Sequence, residues 1–76
     1  MHKILYVDDE KNNLLTFELT LNRWFDIEIT TSPSEALNII ERQKIEVLLT
    51  DQRMPEMSGL ELAQKVKEKY PWMSII

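Results

Sequence analysis

Short apolar runs alternate with longer amphipathic segments along the whole chain. Four of the runs are rich in aliphatic residues, a pattern that predicts buried β-strands. They are KILYVD (3–8), DIEITT (26–31), IEVLLTD (45–51) and WMSII (72–76). The second run alternates apolar and polar residues, as a strand with one wetter face does. The third is apolar at four of its seven positions, with Val47, Leu48 and Leu49 consecutive, and we interpret it as a strand buried on both faces.

The segment between the first two strands predicts an amphipathic helix. Apolar side chains recur at steps of three, four and three residues, at Leu14, Phe17, Leu21 and Trp24. This spacing places them on one helical face. We expect an asparagine to open the helix. We also expect Trp24 and Trp72 to be anchors of the hydrophobic core.

Two further helices are predicted by their N-terminal capping signals. Ser32 is followed by Pro33 and then by Glu35, and Ser58 is followed three residues later by Glu61. A Ser-x-x-Glu capping box satisfies two backbone amides that would otherwise lack partners, and proline is favoured at the first helical position. The chain is therefore predicted to alternate β-α-β-α-β-α-β.

This alternation predicts an α/β fold with a doubly wound parallel sheet, because parallel strands need crossover connections and right-handed helical crossovers supply them. In such sheets, ligands bind at the carboxyl ends of the strands, near the point where the strand order reverses. Asp8 and Asp9 follow the first predicted strand, and Asp51 ends the third. We therefore expect three carboxylates to meet at one edge of the sheet.

Composition and charge reduce the number of functions that this chain could have. The chain has 76 residues, 43% of them hydrophobic and 29% charged, as expected for one small globular domain. The net charge is −4 and no block rich in lysine or arginine occurs, so we do not expect this segment to bind nucleic acid. No long apolar segment predicts a membrane span or a signal peptide. The lack of cysteine is consistent with a reducing cytoplasm.

Three classes of site are excluded by residue counts. Gly59 is the single glycine, so a glycine-rich phosphate loop cannot form. His2 is the single histidine and lies at the chain start, and there is no cysteine. A histidine-based catalytic triad and a zinc site are therefore both disfavoured.

Three clustered carboxylates suit a hard divalent cation. Like charges at short range raise one another's pKa, and Mg²⁺ bound by oxygen ligands relieves this repulsion. Magnesium can orient a phosphoryl group toward a carboxylate nucleophile, and attack by aspartate yields an aspartyl phosphate. In this interpretation Asp51 is the nucleophile, Asp8 and Asp9 hold the metal, and Pro55 fixes the loop. The alternative is that the acidic residues are ordinary turn and capping residues.

The motifs KILYVDDE and LLTDQRMPEMSGLEL together resemble the receiver domain of two-component response regulators. The resemblance covers the whole chain and implies a flavodoxin-like sheet with strand order two-one-three-four-five. It implies that Asp51 accepts a phosphoryl group from a sensor histidine kinase or phosphotransfer protein. It also implies Mg²⁺ bound by Asp9, by Asp8 through water, by Asp51 and by the backbone carbonyl of Arg53. Such a receiver switches an output and is not a dedicated enzyme.

The chain departs from the family pattern at its end. Receivers continue through a Thr or Ser, an aromatic residue and a Lys, whereas this sequence stops at Ile76, inside the fourth strand. We therefore expect residues 1–76 to be a partial receiver domain. An exposed fourth strand and an uncovered sheet face are association surfaces, so we expect a homodimer.

Two other functions remain open at this point. A haloacid-dehalogenase-like phosphatase also uses magnesium and an aspartate nucleophile. That family carries a D-x-D motif, with a second acid two residues after the nucleophile, whereas Arg53 occupies this position here. A module that retains only the fold, for interaction or dimerisation without phosphotransfer, is the other alternative.

Overall fold

The computed structural model describes residues 2–76 and consists of strands and helices in strict alternation. The elements are β1 (Lys3–Val7), α1 (Lys11–Leu21), β2 (Asp26–Thr30), α2 (Pro33–Arg42), β3 (Val47–Thr50), α3 (Gly59–Lys69) and β4 (Ser74–Ile75). The predicted order of elements is confirmed. Among the helices of residues 2–76, none has both the length and the apolar character needed to cross a bilayer.

The four strands form one parallel sheet with the order β2-β1-β3-β4. This is the predicted doubly wound, flavodoxin-like order, and the strand order reverses between β1 and β3. The pairing is in register, so that Val7 at the end of β1 lies level with Thr30 of β2 and with Thr50 of β3. The residues that follow these strands therefore emerge together at the carboxyl edge.

The two faces of the sheet are buried to different extents. Leu5 and Val7 point toward α2 and α3, where they are completely buried. The main cluster on that face also contains Ala36, Ile39, Ile40, Ile45, Leu48, Met54, Leu62, Val66 and Met73. The opposite face carries Tyr6, Val47 and Leu49, which are only partly buried. Helix α1 packs there and contributes a single buried residue, Leu14.

Each capping box is predicted to form two hydrogen bonds, and the one accepted by the serine hydroxyl is present in both. The hydroxyl of Ser32 accepts a hydrogen bond from the amide of Glu35 (3.2 Å), and Ser58 accepts from the amide of Glu61 (3.1 Å). The predicted return contact from Glu35 to the Ser32 amide is wrong. Thr30 lies between them, because its hydroxyl donates to the Glu35 carboxylate (3.0 Å) and accepts from the Ser32 amide (3.1 Å).

Helix α1 differs from the prediction at both ends. It begins at Lys11, before the asparagines, and it ends at Leu21. The amides of Trp24 and Phe25 both donate to the carbonyl of Leu21, so the chain turns toward β2 and Trp24 leaves the helical face. The side chain of Trp24 is 62% exposed, and its predicted role as a core anchor is wrong.

Strand β4 is shorter than the predicted 72–76. Trp72 lies in the turn before it, where its ring packs edge-on against Tyr70 at 6.1 Å between centroids and remains 58% exposed. Trp72 is therefore not a core anchor either. The ladder continues beyond β4, because the Ile76 amide donates to Leu48 (2.9 Å) and the Ile76 carbonyl accepts from Thr50 (3.2 Å).

The turn between α3 and β4 is held by one lysine. The ammonium group of Lys67 donates to the carbonyls of Met73 (2.6 Å) and Pro71 (3.2 Å). Met73 is completely buried, so this contact ties the exposed turn to the core.

Replacing Lys67 by methionine tests this contact. Lys67→Met keeps most of the aliphatic side chain but removes the donor, so we expect the free energy of unfolding in urea to fall by about 1 kcal/mol. Lys65→Met, at an exposed position of the same helix, is the matched control and should change stability little. Equal losses in the two variants would contradict the assignment.

Candidate functional site

Three carboxylates converge at the carboxyl edge of the sheet. Asp8, Asp9 and Asp51 each offer an oxygen atom, and these oxygens lie within 4.8 Å of one another. The backbone sets this convergence. The amide of Asp8 donates to the carbonyl of Thr30 (3.2 Å), and the amide of Asp51 donates to the carbonyl of Val7 (2.9 Å). The predicted meeting of the three side chains is therefore present in the structure.

Asp8 is the buried member of the cluster, with only 3% of its surface exposed. Its Oδ2 accepts hydrogen bonds from the Tyr6 hydroxyl (2.7 Å) and from the Asn13 amide group (3.2 Å). Its Oδ1 accepts from the backbone amide of Glu10 (2.9 Å). This last bond forms immediately before α1, at a helix start that has no other side-chain cap. Asp8 thus links β1 to the start of α1.

The hydrogen bonds keep Asp8 ionised despite its burial. Burial by itself would raise the pKa of Asp8, but donation from the Glu10 amide, then from Tyr6 and Asn13, outweighs it and holds the pKa below its ordinary value. Burial, the hydrogen bond to Asp8 and the nearby negative charges raise the pKa of Tyr6 to about 12. Tyr6 therefore remains a hydrogen-bond donor at neutral pH.

The loop after β3 carries the remaining predicted site residues. Asp51 is half-buried at the start of the loop, and Arg53 and Pro55 are exposed. Met54 is 9% exposed and belongs to the main hydrophobic cluster, which anchors the loop beneath the site. The proposed role of the Arg53 backbone carbonyl as a metal ligand remains a prediction.

A close backbone approach explains the single glycine. A Cβ atom at Gly59 would overlap the carbonyl oxygen of Asp51 and lie 2.8 Å from Oε1 of Gln52. The Gln52 side chain accepts from the amide of Leu60 (2.8 Å), and the Gly59 amide donates to the Gln52 carbonyl (3.0 Å). The first turn of α3 is therefore packed directly against the backbone that carries Asp51.

The donor set of this edge fits magnesium. All three convergent groups are carboxylates, and oxygen ligands are those that Mg²⁺ prefers. One carboxylate is already oriented by protein donors, as metal-site carboxylates commonly are. The other two, Asp9 and Asp51, are exposed and half-buried, so a hydrated ion can reach them.

Comparison with known proteins decides the family. The family model described as "Response regulator receiver domain" matches residues 4–76. The chain belongs to this family. Within it, the receiver is 37% identical over 68 residues to the hydrogenase transcriptional regulatory protein HoxA of Cupriavidus necator, covering 90% of this chain and 14% of HoxA.

Solved structures of response regulators have the same fold as this receiver. A response regulator receiver domain protein from Clostridium thermocellum superposes with a TM-score of 0.93 at 29% identity, covering 99% of this receiver and 62% of that chain. The response regulator TrrA from Thermotoga maritima, solved in complex with Mg(2+)-BeF, superposes with a TM-score of 0.92 at 30% identity. The match covers 99% of this receiver and 66% of that chain. The receiver therefore spans about a seventh of its curated relative and about two thirds of the solved chains.

The family match separates the alternatives raised by the sequence. It identifies a receiver rather than a haloacid-dehalogenase-like phosphatase. This agrees with the sequence, because Arg53 stands where the D-x-D motif of that phosphatase requires a second acid.

Glu56 is a structural residue of the site that the sequence did not reveal. Its Oε1 accepts from the amide (2.9 Å) and the hydroxyl (2.7 Å) of Ser34, and from the hydroxyl of Ser32 at 3.4 Å. The loop of the receiver that follows Asp51 is thereby tied to the N-terminus of α2, where the helix dipole favours a negative charge. These hydrogen bonds, chiefly those from Ser34, lower the pKa of Glu56.

The lowered pKa predicts how this tie responds to acid. A carboxyl group whose pKa is depressed in the folded state stabilises the fold above its ordinary pKa of 4.5. That contribution is lost as the pH falls through the lower, folded-state pKa. The unmodified receiver should therefore lose stability as the pH falls below 4.5, and Glu56→Gln should lose less over the same range when the free energy of unfolding is measured against pH.

The matched control is Glu68→Gln, at an exposed position of α3. Its acid limb should follow that of the unmodified receiver. If Glu56→Gln and the unmodified receiver lose stability in parallel on acidification, the tie between the loop and α2 does not contribute as described.

Proposed function

We propose that residues 1–76 form the phosphoacceptor part of a receiver, which takes a phosphoryl group onto Asp51 in the presence of Mg²⁺ and switches a downstream output. The support comes from the family match, from the TrrA structure solved with Mg(2+)-BeF, and from the three convergent carboxylates. The receiver is then a phosphoacceptor that assists its own modification and not a dedicated enzyme.

One observation separates Asp8 from the other two aspartates. Asp8 accepts three hydrogen bonds from protein groups, whereas among residues 2–76 no protein group donates to the Asp51 carboxylate. Carboxylate oxygens occupied by donors are poor nucleophiles, so Asp8 is not suited to attack. Between Asp9 and Asp51, the match to the receiver motif favours Asp51 as the nucleophile. Asp8 is suited to contact the metal through water, and the exposed Asp9 is suited to contact it directly.

The chemistry is a phosphoryl transfer between two side chains. A carboxylate oxygen of Asp51 forms a new bond to phosphorus while the bond between phosphorus and the histidine nitrogen of the donor breaks. The electron pair of that bond returns to the nitrogen, which takes up a proton from solvent. Asp8, Asp9, Asp51 and the Arg53 carbonyl would hold Mg²⁺, which when bound neutralises the carboxylates and a phosphoryl oxygen.

The proposed donor is a sensor histidine kinase or a phosphotransfer protein, as the family implies. We place the receiver in the cytoplasm, because the family resemblance and the absence of cysteine both suit that compartment. We do not propose nucleic-acid binding by this segment, whose net charge is −4.

Substitution of the phosphoacceptor tests the proposal. The natural protein that carries these residues should gain the mass of one phosphoryl group when it is incubated with Mg²⁺ and phosphoramidate. Asp51→Asn should abolish this gain, because the amide nitrogen and oxygen cannot form an aspartyl phosphate. Intact-mass spectrometry measures the gain directly.

Asp26→Asn is the control, since Asp26 begins β2 at the opposite edge of the sheet and pairs with Lys3 (3.2 Å). It should be labelled as the unmodified protein is. Equal phosphoryl uptake by Asp51→Asn and the unmodified protein would refute the assignment of Asp51. A failure of both to take up phosphate in magnesium would favour the module that retains only the fold.

We also propose that the 76-residue chain forms a homodimer. The support is the incompletely buried sheet face on the α1 side, where Tyr6, Val47 and Leu49 are half-buried. Ile4, Val47 and the exposed Trp72 line one groove at this face. Apolar surface of this kind marks association sites, and a two-fold dimer covers the same patch on both copies.

Light scattering coupled to size exclusion across a dilution series measures this association. Trp72→Ser should shift the dimer toward monomer, because Trp72 borders the groove, whereas Trp24→Ser removes an equally exposed tryptophan from the turn after α1 and should leave association unchanged. A folded monomer at every concentration would contradict the dimer. Equal weakening by the two variants would place the interface elsewhere.

A further inference from the structure

Tyr6 connects the carboxylate cluster to the packing between the sheet and α1. Its ring packs edge-on against Phe17 of α1, with 4.8 Å between the centroids and 64° between the planes. Its hydroxyl donates to Oδ2 of Asp8 at 2.7 Å. The ring is thus fixed on one side by an aromatic neighbour, and its polar end is directed at a carboxylate of the site.

The backbone of Tyr6 is fixed as well. Tyr6 lies in the central part of β1, paired with Ile29 of β2 and with Leu49 of β3. A side chain held by two neighbouring strands and by a helix has little freedom to move. Its hydroxyl is therefore held at a fixed position next to the Asp8 carboxylate. The hydrogen bond from Tyr6 to Oδ2 (2.7 Å) is shorter than the one from Asn13 (3.2 Å).

We propose that Tyr6 is a positioning residue for a magnesium ion at Asp8, Asp9 and Asp51, and that it acts through Asp8. This inference rests on the proposed function, which supplies the metal. Protein groups that hydrogen-bond to ligating carboxylates fix the orientation of those carboxylates, and removing such a group commonly costs about 10- to 100-fold in metal affinity. Because Asp8 is proposed to contact the ion through water, the low end of this range is expected.

Two opposing effects determine the sign of the expected change. A hydrogen bond from the hydroxyl withdraws charge from Asp8 and weakens its attraction for a cation. The same bond holds the carboxylate in one orientation, which favours binding. When the hydroxyl is removed, the amides of Glu10 and Asn13 still donate to Asp8, but the shortest contact to Oδ2, the one that directs this oxygen, is lost. We therefore expect loss of orientation to dominate and Mg²⁺ to bind more weakly.

Isothermal titration of the 76-residue chain with MgCl₂ measures the effect. Tyr6→Phe removes the hydroxyl and keeps the ring that packs on Phe17, so we expect Mg²⁺ to bind about 10-fold more weakly. Tyr70→Phe is the matched control. It removes the same atom from a tyrosine beyond the C-terminal end of α3, and the affinity should not change.

A spectroscopic measurement separates positioning from a purely structural role. Addition of Mg²⁺ should alter the near-ultraviolet absorption of the Tyr6 phenol, because its hydrogen-bond acceptor is drawn toward the ion. This difference band should be present in the unmodified chain and in Tyr70→Phe, and absent in Tyr6→Phe. A structural role alone would change the unfolding curve without producing a band that depends on the metal.

Asn13→Ala provides an independent variant, since Asn13 donates to the same Oδ2 from an exposed position on α1. If both groups orient one carboxylate, the loss of affinity in the double variant should differ from the sum of the single losses.

The outcomes are distinguishable. Unchanged Mg²⁺ affinity in Tyr6→Phe, tighter binding, or a difference band that persists in Tyr6→Phe would overturn the role of Tyr6 and leave the metal site standing. If the unmodified chain does not bind Mg²⁺, the metal site and the role of Tyr6 both fail. Weaker binding in Tyr6→Phe with unchanged affinity in Tyr70→Phe, and with the band lost, supports the inference.

Discussion

In-register parallel pairing of β1 with both β2 and β3 is the constraint on which the rest of the structure depends. It brings Val7, Thr30 and Thr50 to the same level. The next residues along β1 and β3 are then held by backbone hydrogen bonds, from Asp8 to Thr30 and from Asp51 to Val7. A slip of one residue would turn every side chain of a strand to the opposite face. The core and the carboxylate cluster would both be lost.

The cost of gathering like charges is met differently at each aspartate. Asp8 is buried and is stabilised in its charged form by three donors. Asp9 is exposed, and Asp51 is half-buried without a protein donor among residues 2–76. Water can screen the charges on the last two. The division leaves one carboxylate rigid and two accessible, an arrangement suited to holding an ion while keeping one oxygen free for reaction.

The loop that carries Asp51 is braced from several sides. Met54 is buried in the core beneath it, and Gln52 contacts the first turn of α3. The absence of a side chain at Gly59 lets that turn approach the Asp51 carbonyl. Glu56 joins the far part of the loop to α2. Each contact fixes a different stretch of the loop, so the Asp51 carboxylate is presented from a rigid support although the loop itself is largely exposed.

The sequence by itself determined the order of elements, the parallel sheet and the convergence of Asp8, Asp9 and Asp51. Apolar periodicity and capping residues are local signals, and the carboxyl ends of parallel strands share one edge. It located the caps at Ser32 and Ser58 but placed the two tryptophans in the core. Periodicity does not show where a helix stops, and an apolar run does not show where a strand begins. The tertiary structure alone decided that the Tyr6 hydroxyl donates to Asp8 and that Glu56 accepts from the first turn of α2. The partners of Glu56 lie 22 and 24 residues away, and the direction of the Tyr6 hydroxyl depends on packing against α1. Contacts of these kinds follow from the three-dimensional arrangement of the elements, which no local pattern encodes.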